Sequence, residues 1–86
     1  MNESIDWEVS AKNLLKAELR RKGVTYAELS IRLADLGLNE SEANIRNKVA
    51  RGKFKVAFLL QCLRAIGTSG VQIEFCPVKA NGNSLP

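Results

Sequence analysis

Apolar residues recur at helical spacing in four successive stretches of this chain, and each stretch runs into a glycine: Gly23, Gly37, Gly52 and Gly67. Glycine just past the last periodic residue is a common stop for an α-helix. The pattern therefore predicts a mainly α chain of short helices. Trp7, Ala11, Leu14, Leu15 and Leu19 mark the first, with Ser4 or Asp6 as N-cap and a cationic last turn, Arg20 to Lys22. Those cations complement the helix dipole, and they would equally suit phosphate. The second opens on a capping box, Thr25 with Glu28. Tyr26, Leu29, Leu33 and Leu36 form one apolar stripe and Ala27, Ile31 and Ala34 another beside it, so a widely buried helix is expected.

A third helix begins near Asn39 and Glu42, with Ser41 as a competing cap, and runs to about Arg51 before Gly52 stops it as a left-handed residue. The fourth, Val56 to Ile66, sets Val56, Leu59, Leu60, Leu63 and Ile66 on one face and Phe58, Cys62 and Ala65 beside it. It is the most hydrophobic element and is expected to lie under the others, although its start lacks a good cap.

After Gly70 the period changes to two. Val71, Ile73 and Phe75 alternate with Gln72, Glu74 and Cys76, which reads as one strand with one apolar face. A lone strand leaves its backbone unpaired, and no second strand is evident. Pairing with the same strand of a second copy across a two-fold axis is the simplest expectation, with Val71, Ile73 and Phe75 as dimer contacts. The competing arrangement lays the segment on the first helix. Organisation then reads as a frayed terminus over 1–6, a helical domain over 7–67, a C-terminal strand over 68–79 and a loose tail over 80–86.

Charge is concentrated where the third helix ends. The net charge is +4, yet residues 1–19 carry four acids against two lysines, whereas residues 20–79 carry eleven cations against five acids. Arg46, Lys48, Arg51, Lys53 and Lys55 fall within ten residues with no acid among them, while Ile45 and Val49 repeat on one helix face. At about 100° per residue, Asn47 points almost opposite that apolar pair, with Arg46 and Lys48 to either side. An outward face of amides and cations suits a polyanion, because neutralising phosphates releases counterions. A merely solvated charged face is the plainer alternative.

Several functions are disfavoured. The 86 residues contain no histidine and two cysteines, Cys62 and Cys76, too few for a disulfide scaffold or a zinc site. With no glycine-rich phosphate loop and no paired carboxylates beside a nucleophile, no catalytic residue, metal or cofactor is expected. No apolar run approaches the roughly 18 residues of a membrane span, and Met1 to Trp7 does not resemble a signal peptide, so a cytoplasmic protein is expected. No small-molecule ligand is expected either.

Three segments carry a family resemblance: Val24-Thr-Tyr-Ala-Glu-Leu-Ser, Asn44-Ile-Arg-Asn-Lys-Val-Ala-Arg-Gly-Lys-Phe and Phe58-Leu-Leu-Gln-Cys-Leu-Arg-Ala-Ile-Gly. Over roughly residues 7–67 the sequence resembles the Cro/C1-type (XRE-like) helix-turn-helix proteins, and more closely a small bacterial family known only as a domain of unknown function. The resemblance implies four or five helices, a third helix in the DNA major groove, and homodimers that in some members form through a C-terminal strand. Two departures are visible. The segment from Leu33 to Ile45 is longer than the tight turn of that motif, and Ile45 and Val49 are spaced by four where three is usual.

The expected function is sequence-specific binding of double-stranded DNA by a small homodimeric, repressor-like regulator. Asn44 and Asn47 can bond the paired edge of adenine, and Arg46 can grip guanine. Lys48, Arg51, Lys53 and Lys55 are expected on phosphates, where they position the helix. Glu42 could accept from cytosine, although capping explains it equally well. The alternative is a protein-interaction module, an adaptor or antitoxin-like partner whose basic face binds an acidic protein.

Overall fold

A computed structural model describes residues 4–78 of the chain. It contains four helices: α1 (Trp7–Lys22), α2 (Tyr26–Asp35), α3 (Glu42–Arg51) and α4 (Val56–Ala65). Asp6 caps α1, its carboxylate accepting from the Val9 amide. Thr25 caps α2 by accepting from the Glu28 amide, so half of the expected capping box forms; the Glu28 carboxylate pairs instead with Arg32 one turn on. α3 starts at Ser41, whose hydroxyl accepts from the Asn44 amide at 3.1 Å. The Asn39 cap is thus corrected. Ser41 lies next to the first helical residue, where its oxygen reaches the third helical amide, and Asn39 is two residues too early.

α3 packs against α1 and α2, and α4 against α2 and α1. The shared core is Leu15 and Leu19 from α1, Leu29 and Leu33 from α2, Ile45 and Val49 from α3, and Phe58, Cys62 and Leu63 from α4, closed by Val24 and Ile66. Two helix faces differ from expectation. Ile31 and Leu36 stand exposed, so α2 buries one narrow stripe and not a wide face. On α4, the Phe58–Cys62 side faces inward while Val56 and Leu60 are 69% and 59% exposed. The buried face of that helix straddles the two expected stripes, taking Leu63 and Ile66 from one and Phe58 and Cys62 from the other.

Residues 71–76 form no strand. Among the described residues the only β-pairing is one isolated antiparallel bridge, Ile5 with Pro77. The segment instead follows the start of α1. The Asp6 amide donates to the Cys76 carbonyl at 2.7 Å and the Val78 amide to the Ser4 carbonyl at 2.9 Å. Ser10, buried within α1, donates its hydroxyl to the Asp6 carbonyl and accepts from the Cys76 amide, both at 2.8 Å. Among the described residues there is no second strand for a ladder, so the backbone takes these scattered bonds. They also hold Ser4 to Asp6, inside the stretch expected to fray. The expectations for residues 1–3, Lys79 and the tail 80–86 lie outside the described residues. No described helix is long and apolar enough to cross a membrane.

Candidate nucleic-acid interface

Two buried residues orient α3. Ile45 and Val49, with no accessible surface, pin one side of the helix into the core. Asn44, Arg46 and Asn47 consequently stand exposed, as the spacing predicted. At the far end Gly52 adopts φ 65°, and it is buried against the first turn of α1: a Cβ there would collide with the backbone carbonyl of Glu8. Glycine serves both the left-handed turn and the close approach. The chain then reverses through Lys53, Phe54 and Lys55 into α4, with Phe54 and Phe58 rings 5.6 Å apart.

The five cations do not remain free of acids once the chain folds. Arg46 pairs with Glu42 one turn earlier, Nη2 to Oε2 at 2.6 Å, and its guanidinium lies 5.8 Å from the centre of the Tyr26 ring. Lys48 is half-buried, bound to Glu40 at 2.6 Å and 4.7 Å above the Phe58 ring. Glu40 is itself steadied by the Ser30 hydroxyl, which donates to its backbone carbonyl at 2.6 Å. Lys53 approaches Glu8 at 3.7 Å. Arg51 and Lys55 are exposed and have no acid at ion-pair distance among the described residues. Five cations against three acids leave the surface basic. Exposed pairs of this kind contribute only about 0–1 kcal/mol, so a phosphate can displace their carboxylates. Lys48, held by both Glu40 and the Phe58 ring, is the least free.

Val71, Ile73 and Phe75 do not share one face. Val71 is half-buried against the core, whereas Ile73 and Phe75 are 54% and 59% exposed, Phe75 meeting the exposed Trp7 edge-on at 5.8 Å.

One feature of this surface is not legible in the sequence. A groove of about 410 Å³ separates α3 from the C-terminal half of α1, lined by Lys16, Arg20, Thr25, Tyr26, Glu42 and Arg46 among others. Lys16 and Arg20 are one helical turn apart, a spacing that places them on one face, but only the fold brings that face beside α3. Among the described residues no cluster of His, Cys, Asp and Glu could hold a metal ion. Cys62 is buried, and burial, with Glu40 next in effect, pushes its thiol up to about 12, so it stays protonated.

Comparison with curated proteins and with solved structures gives no match. A family model does match over residues 7–71, which takes in all four helices and the first residue of the alternating segment. The chain belongs to the family described as Domain of unknown function (DUF6471).

Proposed function

We propose that this protein binds double-stranded DNA sequence-specifically, as a small homodimeric, repressor-like transcription regulator of the cytoplasm built on a helix-turn-helix of the Cro/C1 (XRE-like) kind. In this reading α2 supports and α3 enters the major groove. The observation that carries it is the division of α3: Ile45 and Val49 are wholly buried, while Asn44, Arg46 and Asn47 are exposed beside a turn bearing Arg51, Lys53 and Lys55. Rigid attachment of a helix whose outer face holds amides and cations is what reading base edges requires.

Asn44 and Asn47 meet adenine and Arg46 meets guanine. Arg51 and Lys55 bind phosphates directly; Lys48 and Lys53 do so by exchanging Glu40 and Glu8 for phosphate oxygens. Dimerisation uses the C-terminal segment, whose exposed Ile73 and Phe75 lie next to Trp7, supported by the absence of described backbone hydrogen bonds from residues 71–75.

A mobility-shift titration on random-sequence duplex at 50 and 200 mM salt tests the reading. Affinity should fall by orders of magnitude with salt. Binding that does not respond to salt, or none at low salt, refutes it and favours an interaction module. Arg46→Ala or Asn47→Ala should relax sequence preference, and Lys55→Ala should weaken all sequences alike. Sedimentation showing only monomer at micromolar concentration would remove the dimer.

A further inference from the structure

We infer that α1 forms a second wall of the DNA interface, with Lys16 and Arg20 gripping a backbone phosphodiester in the groove that separates α1 from α3. The inference rests on the DNA-binding reading and extends it to an element outside the two helices of the motif.

Three observations carry it. First, the groove brings together three cations, Lys16, Arg20 and Arg46, against one acid, Glu42. That acid is already engaged by Arg46 at 2.6 Å, so the charges of Lys16 and Arg20 are not offset there. Second, the three cations ending α1 are not equivalent. Arg21 is bound to the Glu18 carboxylate through Nε at 3.2 Å and Nη2 at 2.7 Å. Lys22 reaches back to the Gly67 carbonyl at 3.5 Å. Arg20 has neither kind of partner among the described residues; of the three it alone lines this groove, and with Lys16 it also borders a second groove that holds Glu18 and Glu74. A dipole role alone would not separate Arg20 from its neighbours. Third, Thr25 lines the same groove while its oxygen accepts from the Glu28 amide, so its hydroxyl hydrogen remains to be donated to an anion.

The groove shares Arg46 with the reading helix. A phosphate seated between Lys16 and Arg20 therefore lies beside the start of α3, and Arg51 lies at the other end of that helix. Cations at both ends of α3 would hold the helix against the backbone on either side of one major groove. Such contacts carry no sequence information and set how the helix enters.

The test compares Lys16→Gln and Arg20→Gln, singly and together, with Arg64→Gln, which removes the same charge from a separate groove beside Thr68 and Val71. All three side chains are exposed, so the fold should tolerate each change. Duplex affinity is measured from 50 to 200 mM salt with random and selected sequences. The double variant, which frees one phosphate, should flatten the salt slope by about 0.9 and so lose about 3.5-fold less affinity than wild type across that range, with each single variant in between. Relative preference among sequences should not change, and Arg64→Gln should leave the slope as it was. An unchanged slope in the double variant, or equal flattening by Arg64→Gln, overturns the inference while leaving the DNA reading intact. A wild-type protein without salt-dependent duplex binding fails at the earlier step and takes both down.

Discussion

α3 and α4 are each ten residues long, and each buries one stripe in the same core, yet they turn opposite chemistry to water. α3 presents Asn44, Arg46 and Asn47; α4 presents Val56 and Leu60. α3 is capped at both ends, by the Ser41 hydroxyl and by Gly52, whereas α4 starts at Lys55 with no side-chain cap. The helix with less apolar surface is the more firmly fixed at its ends. A polar face backed by two buried residues and capped at both ends suits recognition by hydrogen bonds.

The comparison can be broken most sharply in the core. Ile45→Ala should cost about 2–5 kcal/mol of unfolding free energy, because it removes a side chain with no accessible surface and leaves a cavity. Val56→Ala on the exposed side of α4 should fall within about 0.5 kcal/mol. Chemical denaturation measures both, and a large cost for Val56→Ala at high protein concentration only would mean that a second copy covers that face.

Gly52→Ala should cost about 2–4 kcal/mol, since it adds a collision with the Glu8 backbone to the strain of a left-handed residue. Gly37→Ala, with open space around it, should show the conformational part alone, on the order of 1 kcal/mol. Equal thermal shifts would deny the close α1–α3 approach.

At the helix starts, Ser41→Ala should cost about 1 kcal/mol and Asn39→Ala little. Lys55→Ser should do the reverse for α4, adding up to about 1 kcal/mol by supplying the missing cap while weakening duplex binding. Opposite signs for stability and binding in one variant would separate fold from function at that position.

The last effect is one of pH and vanishes around neutrality. The Cys62 thiol is raised from an ordinary value of 9.0 to about 12, chiefly by burial. Above about 9 the unfolded chain loses this proton while the folded chain keeps it. The contribution is therefore complete below 9 and declines as pH rises towards 12. Wild type should lose stability faster than Cys62→Ala between pH 8 and 10.5 in guanidinium titrations. Thiol labelling of the native protein should modify the half-buried Cys76 well before Cys62.

Much of this was legible in the residues because it is local. A helix is specified by neighbours within a few positions, so Asp6, Thr25 and the four glycines placed the ends of the helices, with φ positive at Gly23, Gly37, Gly52 and Gly67 alike. The spacing of Ile45 and Val49 likewise determined which side of α3 would be wet. Ion pairing was legible only within a turn, as for Glu42 with Arg46.

What lay beyond was decided by contacts between residues distant along the chain. Glu8 reaches Lys53, and Glu40 crosses from the loop before α3 to Lys48, so acids arrive beside cations that are alone in sequence. The Ser10 hydroxyl captures the Cys76 amide 66 residues away, and an alternating segment that reads as a strand becomes a strap along α1. Lys16 and Arg20 come to face α3 only after α1 and α3 dock. The sequence alone thus determined four helices and a polar outer face on α3, since backbone geometry repeats every 3.6 residues. Only the tertiary structure decided which charges on that face stay free and which second element lies beside it, because electrostatic partners are set by distance in space and not by separation along the chain.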